Sequence, residues 1–125
     1  MRVLLDTHSL YWACFEPGKL GEKARACLVA EETVACVSHA SLWEMTIKRG
    51  LGKLKFPGGF LKALPEHGYQ LLPISVAHIE QYGSLPLLHR DPFDRMLIAQ
   101  AKIEQMALMT RDSDICRYDV ELFPA

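Results

Sequence analysis

The chain has 125 residues, half of them hydrophobic and 23% charged, with a formal net charge of −1. That length suits one domain, residues 1–125, able to bury a substantial core. The near-zero charge excludes bulk attraction to nucleic acid, so any such binding needs a local patch.

Val3 to Leu5 reads as a short buried strand, and Asp6-Thr7 then offers capping chemistry for a helix through Tyr11 and Trp12 that Pro17-Gly18 breaks. A second helix is expected from Gly21 to Glu32, and the β-branched run Thr33 to Val37 is a second strand. Ser38 or Ser41 caps the next helix, which carries Leu42, Trp43, Ile47 and Leu51 and stops around Gly50 and Gly52. A loop from Lys53 to Gly59 leads to a short helix from Phe60 to Glu66. Gln70 to Ile74 is a third strand and Val76 to Tyr82 a helix. Asp91-Pro92 then gives the clearest helix start in the chain, with Asp91 at the N-cap and Pro92 at the first helical position. Ala107 to Thr110 is a fourth strand and Val120 to Phe123 a fifth. Strands alternating with helices at this spacing predict an α/β fold with a doubly wound, mostly parallel sheet.

Four acids fall at one edge of such a sheet. Asp6 closes the first strand, Asp112 follows the fourth, Asp94 opens the Asp91-Pro92 helix, and Glu44 lies on the helix after the second strand. Open parallel sheets bind ligands beyond the carboxyl ends of their strands. Each acid has a plainer use as well. Asp6 suits an N-cap, Asp94 the positive end of a helix dipole, Glu44 an ion pair with Lys48, and Asp112 a turn. Together they repel one another unless a cation or proton intervenes, which raises at least one pKa. Oxygen donors alone suit a hard cation such as Mg²⁺ or Mn²⁺.

Around the acids, Lys48, Arg49, Lys53 and Lys55 form a basic stretch, read more readily as solvated charge than as a phosphate grip. Arg95 and Arg111, adjoining acids, are the better phosphate candidates. His8 and His39 lie near strand ends, where a packing or surface role is favoured over support of the site, and Trp12 and Trp43 are placed in the core or an interface. The cysteines, Cys14, Cys27, Cys36 and Cys116, show no C-x-x-C pair. The opening meets an acid too soon for a signal peptide, and no apolar run approaches a membrane span. A reduced cytoplasm is the expected setting.

Leu4-Leu5-Asp6-Thr7-His8, Val37-Ser38-His39-Ala40-Ser41-Leu42-Trp43-Glu44, the block His89 to Ala101 and Thr110-Arg111-Asp112 resemble, in order, the signature blocks of PIN-domain proteins. The VapC-like toxins of toxin–antitoxin pairs are the most similar subgroup. The resemblance implies a PIN-like three-layer fold and a ribonuclease whose Mg²⁺ or Mn²⁺ is held by Asp6, Asp94, Asp112 and Glu44, the last directly or through water. Thr7 and Thr110 would support the site through hydroxyl hydrogen bonds. It also implies an RNA substrate, a homodimer, and a cognate antitoxin lying in an apolar groove, for which Leu42, Trp43, Leu51 and Leu54 are candidates.

Two other classes compete. A phosphatase of the haloacid-dehalogenase kind also begins with a strand ending in Asp, but it needs a second Asp where this chain has His8. A non-catalytic RNA-binding or assembly module with a PIN fold is the other alternative, and the complete acid set argues against it.

Overall fold

A computed structural model describes all of residues 1–125. Five strands, β1 (Arg2–Leu5), β2 (Val34–Ser38), β3 (Gln70–Leu72), β4 (Ala107–Thr110) and β5 (Leu122–Pro124), form one sheet in the order β3-β2-β1-β4-β5. Every pairing is parallel, β1 aligning Leu5 with Val37 of β2 and with Met109 of β4. Strand order reverses between β1 and β4, so the crevice for a ligand opens beyond Leu5 and Thr110.

Helices cover both faces: α1 (Thr7–Phe15), α2 (Glu22–Val29), α3 (His39–Gly50), α4 (Phe60–Ala63), α5 (Val76–Ser84) and α6 (Pro92–Glu104). The two-residue period of the strands divides the core. Val3, Leu5, Val37 and Met109 face Leu10, Ala24, Met45 and Leu64, whereas Leu4, Cys36 and Leu108 face Leu97, Ile98, Ala101 and Ile115. Strands buried on both faces need continuous apolar runs, which is why β1 and β4 are so plain in the sequence. In this topology α1, α3 and α6 all start at the carboxyl edge of the sheet, bringing three positive helix ends to one place.

Several boundaries differ from the sequence expectations. The second helix stops at Val29 rather than Glu32, because Glu31 and Glu32 oppose the dipole at a helix C-terminus and the chain turns there into β2. The expected helix to Glu66 divides at Pro65, which has no N–H to continue it, and a 3₁₀ turn over Pro65–His67 follows. Pro73 likewise ends β3 at Leu72. The last strand is shifted to Leu122–Pro124, an edge position where a proline is tolerated. Ser38, rather than Ser41, caps α3 by accepting the Ala40 N–H at 3.0 Å.

At the far end of α6, Gln105 adopts a left-handed φ of 54°, the only non-glycine residue with positive φ, and its side chain is exposed. L-residues disfavour that conformation by about 1–2 kcal/mol, a cost glycine avoids. Gln105→Gly is therefore expected to stabilise the fold by about 0.5–1 kcal/mol, after its own entropy in the unfolded chain is set against the gain. Urea unfolding checks this through a higher midpoint at unchanged slope.

Candidate metal centre

Asp6 leaves β1 directly into α1, and its two carboxylate oxygens have different work. Oδ1 caps the helix by accepting the Ser9 N–H at 2.8 Å, while Oδ2 accepts the Thr110 hydroxyl at 2.5 Å. Thr110 also accepts the Asp112 N–H on Oγ1 at 3.0 Å, so one hydroxyl joins the ends of β1 and β4. Asp112 Oδ1 then accepts the N–H groups of Asp114 and Ile115 at 2.8 and 3.3 Å, folding the following turn back beneath it. Asp112 Oδ2 has no protein hydrogen bond.

Glu44 stands almost two turns into α3 and is only 5% exposed. Its Oε1 accepts the Thr7 hydroxyl at 2.6 Å, and Oε2 lies 2.8 Å from Lys48 Nζ. The anticipated ion pair with Lys48 is present, but on a buried carboxylate rather than on open surface. Thr7 and Thr110 thus each donate a hydroxyl hydrogen bond to a carboxylate at this edge.

Asp91 caps α6 through the N–H groups of Phe93 and Asp94 at 2.9 and 3.1 Å. Asp94, at the third helical position, faces the site, and its Oδ2 lies 2.9 Å from His89 Nε2. His89 was missed by the sequence reading, although its place five residues before an acid of the site was a usable signal. The ring is mostly buried, and its Nδ1 lies 3.7 Å from Asp114 Oδ2.

Arg95 is a correction. A candidate for holding substrate phosphate by its place beside Asp94, it has a buried guanidinium that donates to the carbonyls of Pro86 and Tyr82 and to the Tyr118 hydroxyl. Tyr118 in turn accepts the N–H groups of Leu88 and His89 at 3.0 and 2.9 Å. Arg95 thus fixes the loop that carries His89, because the next position along a helix points about 100° away from its neighbour.

Arg111 remains at the site. Together with Asp6, His8, Trp12 and Asp112 it lines a cavity of about 210 Å³. Its guanidinium lies 4.5 Å over the Trp12 ring and donates to the backbone carbonyls of Lys19 and Ala125. His8 is exposed and stacks on Trp12, whereas His39 is exposed with no hydrogen bond of its side chain. Trp43 is not in the core: it is 62% exposed, edge-on to Phe93, and lines an apolar cavity of about 310 Å³ with Ile74, Ile79, Tyr82 and Met96. Of the expected groove residues, Trp43 and Leu51 are exposed, whereas Leu42 and Leu54 pack against the core. Lys53 and Lys55 are solvated.

The PIN domain profile matches residues 3–121, nearly the whole chain. The chain belongs to the PIN-domain family. Among solved structures, VapBC2 of Rickettsia felis bound to a DNA fragment from the promoter has a TM-score of 0.73 at 18% identity, covering 98% of this chain and 96% of that one. VapBC-1 of nontypeable Haemophilus influenzae gives 0.68 at 17% identity, with 98% and 97% covered. A toxin–antitoxin complex from Klebsiella pneumoniae gives 0.60 at 17% identity, with 89% and 87% covered. At such identities the likeness is one of fold. No curated protein sequence matches the chain significantly.

The donors of this PIN domain fit a divalent cation. Two trios of ligand atoms, each from three different residues, lie within 4.8 Å of one another: His89 with Asp112 and Asp114, and His89 with Asp91 and Asp94. No three of Asp6, Glu44, Asp94 and Asp112 meet that distance; Glu44 is paired with Lys48 and Asp94 with His89. Asp94 is pushed up to about 7, by burial first and then by the charges of Asp91, Glu44 and Asp112, against the hydrogen bond from His89. Burial lowers His89, but the hydrogen bond to Asp94 and the charges of Asp94, Asp112 and Asp114 outweigh it, so His89 ends above its ordinary value. A pair of carboxylates with open oxygens among groups that hold extra protons is a site short of positive charge.

Both shifts have the same consequence. The folded chain binds these protons more tightly than the unfolded one, so the stability they add is complete below the ordinary values and is lost as pH rises through the folded ones. For Asp94 that window runs from 3.8 to about 7. With a chelator present, Asp94→Asn should gain on the parent in melting temperature steadily from about pH 4 to about pH 8. Parallel curves across that range would mean Asp94 carries no such proton. Arg95→Met should cost about 2–3 kcal/mol in urea unfolding, by removing the hydrogen bonds of a buried guanidinium to two carbonyls and the Tyr118 hydroxyl. A phosphate-holding arginine would instead leave stability almost unchanged.

Proposed function

We propose that this PIN domain is a Mg²⁺- or Mn²⁺-dependent endoribonuclease, the toxin of a type II toxin–antitoxin pair, working in the cytoplasm. The observation that carries the reading is the joining of Asp6 and Asp112 through Thr110 at the strand switch point, with Asp94 and Glu44 facing the same edge. Family membership supports nuclease chemistry, and the toxin–antitoxin neighbours support the biological setting.

Asp6, Asp94 and Asp112 would hold the ion, with Glu44 bound directly or through water. When bound, a divalent cation supplies charge stabilisation at the scissile phosphate and acidifies the attacking water. The chain's own groups do the remainder. Thr7 and Thr110 keep the carboxylates turned toward the edge, and the three helix N-termini favour negative charge there. Arg111, braced by Trp12 and two backbone carbonyls, is fixed at the cavity mouth to hold a substrate phosphate.

A cognate antitoxin would lay an apolar segment on Trp43 and Leu51 and place a basic side chain among the acids, as Lys48 does with Glu44. The uncovered apolar residues of α3 and α5, among them Ile47, Val76 and Ile79, supply the contacts of a homodimer. No helix is long and apolar enough to cross a membrane.

The test is cleavage of RNA in Mn²⁺ by the purified chain and two variants. Asp94→Asn should lose about 100-fold or more in rate with its fold intact. Asp91→Asn should keep both rate and stability, because asparagine caps helices as well. The reverse pattern would show that the third acid is misassigned. RNA binding with no metal-dependent cleavage by the parent would favour the non-catalytic module instead.

A further inference from the structure

We propose that His89 is itself a ligand, its Nδ1 forming with Asp112 and Asp114 a second cation position that prefers Mn²⁺ to Mg²⁺. This deepens the metal-dependent reading above and rests on it.

His89 lies between two carboxylate groups, its Nε2 being 2.9 Å from Asp94 Oδ2 and its Nδ1 3.7 Å from Asp114 Oδ2. A metal-binding imidazole uses one nitrogen and donates the other N–H to a carboxylate or carbonyl, which fixes the tautomer and turns the ring. Asp94 is placed to take the Nε2 proton, leaving the Nδ1 lone pair on the side of Asp114 Oδ2, 3.7 Å away. The ligand atoms of His89, Asp112 and Asp114 already lie within 4.8 Å of one another.

The neighbouring groups are arranged to the same end. Asp112 Oδ1 is occupied by the N–H groups of Asp114 and Ile115, which leaves Oδ2 free. The same turn folds Asp114 back, so that its carboxylate stands beside that of Asp112. Arg117 pairs only loosely with Asp114, at 3.9 Å, and both side chains are about half exposed. The backbone of His89 is held by Tyr118, and Tyr118 by the buried Arg95. A surface histidine has no use for a buried guanidinium behind its loop, whereas a ligand must be held within a fraction of an ångström.

Donor chemistry then sets the ion. Mg²⁺ demands oxygen and keeps its waters, so a nitrogen donor contributes little to holding it. Imidazole suits transition ions, and Mn²⁺ accepts both nitrogen and carboxylate oxygen. Asp112 also lines the cavity of Asp6 and Arg111, so it faces the four-acid position and this one.

The experiment uses the full chain with Mn²⁺ alone, read by pulsed electron paramagnetic resonance and by calorimetry. Bound Mn²⁺ should show a directly coupled ¹⁴N, which becomes ¹⁵N when the histidines are labelled. His89→Gln should abolish that coupling and weaken Mn²⁺ about tenfold or more, with a far smaller change for Mg²⁺. The labelled parent gives the decisive spectrum even if the variant folds poorly. Mn²⁺ bound without histidine nitrogen, or a coupling that survives in a folded His89→Gln, overturns this proposal and leaves the four-acid site standing. No Mn²⁺ binding by the parent overturns both.

Discussion

Thr110 has one hydroxyl proton and gives it to Asp6 Oδ2, while its oxygen accepts the Asp112 N–H. That side chain ties the carboxyl ends of two adjacent parallel strands across the point where strand order reverses. The residue suits both duties: β-branched, it fits the end of a buried strand, and its hydroxyl reaches the acids. A valine would keep the shape and leave a buried carboxylate oxygen without its donor, at about 1–3 kcal/mol. Thr7 repeats the arrangement on α1, where its hydroxyl reaches Glu44 on α3. Asp6 and Asp112 are thus set by the ends of β1 and β4, Glu44 by α3 and Asp94 by α6.

Negative charge at that edge is balanced by groups from every side. Three helix N-termini converge there, Lys48 meets Glu44, and His89 meets Asp94. The balance is incomplete, since Asp94 is pushed up to about 7 and so holds its proton far above the ordinary carboxylate range. Arg95 contributes without touching an acid, by gripping Tyr118 and the backbone of the His89 loop. Stability given up at such an edge is a common mark of a functional site.

Much of this was legible in the sequence. The apolar runs of β1 and β4, the Asp91-Pro92 start and the order of strands and helices carried the parallel α/β architecture, and the same elements placed Asp6, Asp94 and Asp112 at one edge. Short-range rules carried the caps at Asp6 and Asp91 as well, and narrowed that of α3 to Ser38 or Ser41. Tertiary placement was less visible. Adjacent aspartate and arginine at 94 and 95 look alike in a string, but one faces the edge and the other is buried against Tyr82, Pro86 and Tyr118. His89 lies in a connection without periodicity, where its nearness to Asp94 in sequence was the one local signal and its hold by the distant Tyr118 had none. Trp43 follows a helical apolar pattern that resembles core, and only the packing of α3 shows it standing outside.

The central claim is that the edge built by β1, β4, α3 and α6 is completed by a divalent cation. Thermal melting of the parent chain against Mn²⁺ concentration at neutral pH tests it most directly. A ligand that binds only the folded state stabilises it by mass action, by about 2.7 kcal/mol at a hundred times its dissociation constant. The account predicts a melting temperature that climbs with Mn²⁺ and returns to its starting value on chelation. A melting temperature unmoved from the chelated protein to millimolar Mn²⁺ would contradict it.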